Sequence, residues 1–172
     1  MALVNKNIRF RTLSLAPIIF LYFLSITEMD TEFSNLFEIL SFNLQFIVVY
    51  YWMLKAPAIL GNTHIFVAGI MNDIIMSLTL GTSAISYLIV SFVASYIRNV
   101  TVNTSLFSDW FTFLFAILIS NSVYVLLVSN FSNFEINYLD LFYFIFFTFL
   151  FFPIFWKVFN FYSVMINIKK DD

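Results

Sequence analysis

Six apolar segments, separated by short polar interruptions, are the feature that most constrains this chain. A helix needs about 20 apolar residues to cross the hydrocarbon core of a bilayer, and continuous apolar runs do not fit the alternating pattern of a membrane β-barrel. Only 10% of the 172 residues are charged, against about 25% in a soluble domain. The sequence therefore predicts an all-α integral membrane protein with a single polytopic membrane domain over residues 1–172. Its six transmembrane helices are placed approximately at residues 13–27, 36–54, 65–80, 82–97, 111–129 and 139–159.

The basic residues predict how these helices are oriented, because cytoplasmic loops collect Lys and Arg. With six spans and a cytoplasmic N-terminus, every Lys and Arg falls on the cytoplasmic side, from Lys6 to Lys170. The outer connections are acidic or neutral. We therefore expect both termini in the cytoplasm. No small-x-small cleavage site follows the first apolar segment, so the first helix is expected to be retained.

Asp73 is an unexpected acid within the stretch GIMNDIIMSLTLG, residues 69–81. If the third helix covers residues 65–80, Asp73 lies near the bilayer midplane, where a charge costs about 2.5–3.5 kcal/mol. Gly69, Asp73 and Ser77 recur every four residues and would share one helix face. Small residues on such a face allow a second helix to approach closely. The predicted helix-packing or partner-contact residues are Gly69, Asn72, Asp73, Ser77 and Gly81.

A buried carboxylate needs compensating partners, and three uncharged side chains at a similar depth are the candidates. These intramembrane polar partners are Gln45, Ser91 and Asn121, each able to donate a hydrogen bond. Two roles for Asp73 are open: a polar tie between helices, or part of a proton or ion relay. A relay needs several ionisable groups in series, and the chain offers one at this depth. The tie is therefore the preferred interpretation.

The remaining polar residues form no catalytic or metal-binding pattern. The chain has no Cys, and its one histidine, His64, has no second metal ligand or base nearby in the sequence. We therefore predict no enzyme activity, no catalytic residue, no metal or cofactor, and no nucleic-acid partner. Ser108 and Asp109 are interpreted as the N-cap and first-turn carboxylate of the fifth helix. Pro153 is expected to kink or end the sixth helix, with Trp156 as an interfacial anchor.

A resemblance to a known family lies in residues 50–90, which read YYWMLKAPAILGNTHIFVAGIMNDIIMSLTLGTSAISYLIV. This stretch is similar to the MreD family of bacterial rod shape-determining proteins. Many members have a glycine where this chain has Leu78. The shared pattern consists of Trp52, Pro57, Gly69, Asp73, Leu80, Gly81, Ala84 and Tyr87.

The resemblance implies a non-enzymatic, multi-pass component of the bacterial inner (cytoplasmic) membrane that acts in the cell-wall elongation machinery, the elongasome, and regulates cell shape. The implied partners are a bitopic MreC-like protein, an MreB-like filament on the cytoplasmic side, and the RodA glycosyltransferase with its penicillin-binding partner, together with membrane lipid. The implied role is to scaffold MreC and to link it to peptidoglycan synthesis. The implied fold is similar to that of the substrate-binding subunits of energy-coupling-factor transporters.

That likeness of fold leaves one alternative function open, a vitamin-binding subunit of an energy-coupling-factor transporter. Such subunits typically carry an AxxxA pattern of small residues on their first helix, where the transmembrane partner docks. In this chain Phe20 stands four residues after Ala16. The pattern is incomplete, which favours the shape-determining function.

Overall fold

The computed structural model describes residues 15–26, 43–101, 105–131 and 137–171, and the regular structure within these ranges is entirely helical. The prediction of an all-α chain is confirmed for these residues. Helices α3 to α6 are long and apolar enough to cross a membrane, as an integral membrane protein requires. Residues 36–42 of the second predicted segment lie outside the described ranges. The helices in chain order are α1 (Leu15–Ile26), α2 (Leu44–Lys55), α3 (Pro57–Ile75), α4 (Thr82–Val100), α5 (Leu106–Phe131) and α6 (Tyr138–Asp171).

Helix α2 occupies the centre of the bundle. All ten residues from position 45 to position 54 are buried, and the helix packs against α3, α4 and α6. A helix that is apolar on every side is typical of a protein core or a membrane span. Asn43 begins α2 by accepting a hydrogen bond from the Phe46 N–H at 2.9 Å. The Asn43 N–H donates to Thr148 of α6, so the start of α2 is fixed to its neighbour.

Helix α3 begins earlier than the predicted third segment. Its first residue is Pro57, whose fixed φ suits the first helical position. Gly61 interrupts the helical dihedrals with a φ of 60°, after which the helix continues through the polar residues 62–64. The third predicted segment started later, at residue 65, because residues 62–64 are not apolar. Within the bundle they form hydrogen bonds with Ser91 of α4 and Tyr22 of α1.

The end of α3 is a Schellman turn centred on Ser77. The Leu78 N–H donates to the Asp73 carbonyl at 2.9 Å, and the Ser77 N–H donates to the Ile74 carbonyl at 3.4 Å, which is the bond pair of this motif. Ser77 has a left-handed φ of 53° and is exposed. The prediction that Ser77 belongs to the packing face is therefore wrong, because the helix ends before reaching it.

Ser77→Gly is expected to raise the free energy of unfolding by about 0.5–1 kcal/mol. A side chain at a left-handed position is strained, and glycine adopts the same conformation without that cost. Denaturant unfolding in detergent micelles measures the change. Ser95→Gly in the interior of α4 is the control, since glycine there is expected to lower stability by about 0.5–1 kcal/mol. Losses at both positions would contradict strain at Ser77.

The helices alternate in direction, so the bundle has two distinct ends. The starts of α2, α4 and α6 meet the ends of α3 and α5, and we call this the Asp73 end. The opposite end, where α2 finishes at Lys55, is called the Lys55 end. Helix α6 continues through Pro153 to Asp171, so the proline does not end the helix.

Candidate functional site

Asp73 caps the N-terminus of α4. Its side chain is fully buried, and its Oδ2 accepts a hydrogen bond from the Gly81 N–H at 2.7 Å. Its Oδ1 accepts from the Ser83 N–H, also at 2.7 Å. The first N–H groups of a helix have no partner within the helix and carry the positive end of its dipole. A carboxylate from α3 thus satisfies the N–H of the N-cap residue Gly81 and the N–H of Ser83 in the first turn of α4. Gly81 itself has no side chain that could cap the helix.

This arrangement differs from the predicted one in position and in partners. Asp73 lies in the last turn of α3 rather than in its middle. Its hydrogen-bond partners are backbone N–H groups, so the expectation that it binds Gln45, Ser91 or Asn121 is wrong. Both carboxylate oxygens are occupied within one hairpin, and this is the geometry of a tie between two helices.

The three side chains proposed as partners of Asp73 make other hydrogen bonds. The Gln45 side chain donates to Oδ1 of Asn72 at 3.4 Å, and Nδ2 of Asn72 donates to the Ser83 hydroxyl at 3.2 Å. Ser91 donates to α3, while Asn121 donates to the backbone of its own helix. Gln45 and Asn72 therefore connect the central helix α2 to Ser83, whose backbone N–H donates to Asp73.

Gly69 is the point where the backbones of α3 and α4 touch. A Cβ at this position would overlap the Cα of Ala84 and lie 2.6 Å from its backbone nitrogen. Small residues permit such close helix contacts in membranes. Gly81, with a φ of 101°, supplies the left-handed turn that starts α4 and favours glycine. We call this set the α3–α4 clamp: Gly69, Asp73, Gly81, Ser83 and Ala84.

The resemblance to the MreD family includes Trp52 and Pro57, and both residues have a role in the packing or connection of the helices. Trp52 is buried and packs against the rings of Phe159 and Tyr162 in α6. It therefore contributes to the core where α2 meets α6. Pro57 begins α3 directly after the last turn of α2, so it sets where the chain reverses.

A cavity of about 420 Å³ opens between the helices at the Asp73 end. Its deeper part contains the buried side chains of Asn72, Ser86 and Asn121, and its outer part contains the exposed Met76 and Asp140. Cavities of about 300–1,000 Å³ commonly hold small molecules. We call it the Asn72 cavity; its described lining residues are Asn43, Phe46, Asn72, Met76, Leu78, Ser83, Ser86, Tyr87, Asn121, Tyr124, Asn137, Asp140, Leu141 and Phe144.

The Lys55 end holds a buried ion pair that the sequence did not reveal. Asp109 is fully buried, and its Oδ2 lies 2.9 Å from Lys55 Nζ and accepts a hydrogen bond from Trp156 Nε1 at 2.9 Å. The Lys55 ammonium also lies 5.6 Å from the centre of the Trp156 ring, within cation–π distance. One cluster thus joins α2, α5 and α6, and Trp156 is a member of it rather than only an interfacial anchor.

Lys55→Met is expected to lower the free energy of unfolding by about 2 kcal/mol. Removing one partner of a buried ion pair leaves the other charge without compensation, which costs about 3–5 kcal/mol when both groups are fully buried. The cost is smaller here because the Lys55 side chain is 20% exposed and Asp109 keeps the Trp156 hydrogen bond. Lys157→Met, at an exposed position next to Trp156, is the control and should change stability little. Equal effects of the two substitutions would argue against the ion pair.

His64 has a structural contact in this fold. Its Nδ1 lies 2.9 Å from the hydroxyl of Tyr22, which joins α3 to α1. Among the described residues, no group of three or more His, Cys, Asp or Glu side chains is placed to hold a metal ion.

No protein-family model, no curated protein and no solved structure matches this chain.

Proposed function

We propose that this chain is a non-enzymatic, multi-pass protein of the bacterial inner membrane that acts in the cell-wall elongation machinery, as MreD-like proteins do. In this role it scaffolds a bitopic MreC-like partner and links it to peptidoglycan synthesis by RodA and its penicillin-binding partner. An MreB-like filament would meet it on the cytoplasmic side.

The α3–α4 clamp is the observation that carries the proposal. The resemblance to the MreD family lies in residues 50–90, and the clamp falls within this stretch. Gly69 packs on Ala84, and the Asp73 carboxylate holds the start of α4. The positions of Gly69, Asp73, Gly81 and Ala84 in the pattern thus have a physical reason, which supports a shared architecture over a chance match of apolar residues.

The proposed topology has six membrane spans with both termini in the cytoplasm. Lys55 and Arg98 lie in the last turns of α2 and α4, which run in the same direction, and Lys157 follows Trp156, which contacts Lys55 and Asp109. They therefore cluster toward the Lys55 end. Cytoplasmic ends of membrane helices are enriched in Lys and Arg, which supports an orientation with the Asp73 end on the outer side.

The clamp also indicates where the bitopic partner does not bind. The Gly69 face is covered by α4 within the chain, so it is not available to a helix of another protein. Enlarging Gly69 would weaken partner binding only by disturbing the hairpin. The partner must use another surface, and substitutions on the clamp do not test that contact.

Co-purification tests the proposal directly. The affinity-tagged full-length chain is expressed with the MreC-like bitopic protein of the same genome and extracted in mild detergent. We expect the two proteins to elute together through affinity and size-exclusion columns, whereas an unrelated single-span membrane protein expressed at the same level does not. Failure of the MreC-like protein to co-elute, with this chain itself folded and monodisperse, would reject the proposal.

A transporter subunit is the second candidate, and the Asn72 cavity is the observation that favours it. A cavity of about 420 Å³ is large enough for a small vitamin. Against it, Phe20 packs edge-on against Phe159 of α6, at the position where such subunits have a small docking residue. A vitamin that co-purifies with the chain, together with binding to an energy-coupling ATPase module, would favour the transporter over the shape protein.

A further inference from the structure

We propose that the Asn72 cavity is a binding site for a small uncharged molecule that carries both hydrogen-bond donors and acceptors, such as an amide or an amide-bearing sugar. The inference goes beyond the proposed scaffolding role, which needs no small ligand.

The deeper part of the cavity provides neutral polar groups of both kinds. Asn72 and Asn121 each have a side-chain amide with two N–H donors and one accepting oxygen. Ser83 and Ser86 each have a hydroxyl group. These side chains are at least nine-tenths buried, although each is polar. Their hydrogen bonds do not use every donor and acceptor. The side-chain amide of Asn121, for example, donates one N–H to the Ile117 carbonyl and has a second N–H. Buried polar groups of this kind are normally satisfied by partners, whether protein groups, ordered water or a ligand.

Aromatic rings form much of the remaining wall. Phe46, Tyr87, Tyr124 and Phe144 come from four different helices and face the same space. Apolar and aromatic walls with a few placed polar groups are typical of small-molecule sites. The rings supply contact area, and the amides supply orientation.

The charge on the described residues at the cavity is of one sign, which selects against anions. None of the described lining residues is Lys, Arg or His. The described stretches that contain them, residues 43–46, 72–87, 121–124 and 137–144, have no basic residue, and their two acidic residues are Asp73 and Asp140. An anionic ligand would be buried with no countercharge from these residues, at a high cost.

A cationic ligand is less well matched than a neutral one. The one described acid that lines the cavity, Asp140, is exposed at its outer part. The deeper groups are amides and hydroxyls whose N–H and O–H donors would have no role against a cation. A neutral molecule uses the donors and the acceptors together.

Matched pairs of probes test the inference on the full-length chain in detergent. The probes are nicotinamide against nicotinate, and N-acetylglucosamine against its 6-phosphate, with the unfolding temperature followed by tryptophan fluorescence. Binding to the folded state raises this temperature in a saturable way. We expect at least one neutral probe to stabilise the chain at concentrations about tenfold or more below those its charged counterpart needs. A mass-spectrometric search of the purified chain for co-purifying uncharged compounds accompanies the titrations.

Asn121→Leu and Ser122→Leu provide a matched pair of variants. The two residues are adjacent on α5, and each donates to the carbonyl four residues earlier, but Asn121 lines the cavity whereas Ser122 is exposed. The stabilisation by the neutral probe should be lost in Asn121→Leu and kept in Ser122→Leu.

Three results would overturn the inference: a charged probe that binds as well as its neutral counterpart, equal behaviour of the two variants, or no neutral probe bound together with no co-purifying uncharged compound. Because no bitopic partner is present in this assay, its failure leaves the co-purification test of the scaffolding role unaffected.

Discussion

Gly69→Ala is expected to lower the free energy of unfolding by about 3 kcal/mol or more. The added Cβ would overlap Ala84 Cα and lie 2.6 Å from its backbone nitrogen, and a backbone cannot rotate away as a side chain can. Overpacking in a close contact usually costs about 1–3 kcal/mol, and separating two helices adds the loss of their packing. The direction of the change in unfolding free energy is diagnostic, because Gly→Ala in an ordinary helix interior stabilises by about 0.5–1 kcal/mol. Denaturant unfolding of the purified chain measures it.

A double substitution distinguishes a backbone clash from a side-chain clash. Ala84→Gly removes only the Cβ that would lie 2.9 Å from the new methyl group at position 69, whereas the overlap with the backbone atoms persists. Gly69→Ala combined with Ala84→Gly is therefore expected to remain as unstable as Gly69→Ala alone. Recovery of wild-type stability in the double variant would contradict close backbone contact. Ala58→Leu, which adds bulk at an exposed position in the first turn of α3, should have little effect.

Hydropathy predicted the starts of α4 and α6 to within one residue, whereas it predicted the bounds of α3 poorly, for an identifiable reason. The fourth predicted segment starts at residue 82, as α4 does, and ends three residues before it at residue 97. For α3 the predicted range of 65–80 was shifted along the chain relative to Pro57–Ile75. Residues 62–64 are polar yet helical, because neighbouring helices provide hydrogen-bond partners. Residues 76–80 are mostly apolar yet form a turn. Hydropathy reports the preference for lipid and not the backbone conformation.

The candidate site was found from the sequence, but its partners were not. Asp73 stands out because a carboxylate in an apolar segment requires compensation. Its actual partners are N–H groups of Gly81 and Ser83, and every residue but proline has such a group, so no residue type marks them. The ion pair of Lys55 and Asp109 was missed for another reason. The two residues are 54 positions apart, and only the tertiary fold brings the end of α2 to the first turn of α5.

Asp73→Leu is expected to lower the free energy of unfolding by about 3–6 kcal/mol. The carboxylate accepts two hydrogen bonds at 2.7 Å, and bonds to a charged group contribute about 1.5–3 kcal/mol each. Leucine accepts neither, so two N–H groups at the start of α4 would be left unpaired beside a buried side chain. The loss of the negative charge at the positive end of the helix dipole adds to the effect.

Asp73→Asn separates capping from a role that depends on the charge alone. The asparagine side chain keeps one accepting oxygen, so it can satisfy either Gly81 or Ser83 but not both, and its NH₂ group would face the other donor. About half of the loss in Asp73→Leu is therefore expected, with helix content unchanged by circular dichroism. Asp140→Asn makes the same change at an exposed carboxylate in the first turn of α6 and should cost less than about 1 kcal/mol. Equal losses in Asp73→Asn and Asp73→Leu would contradict capping by two separate hydrogen bonds and would return the proton-relay role to consideration.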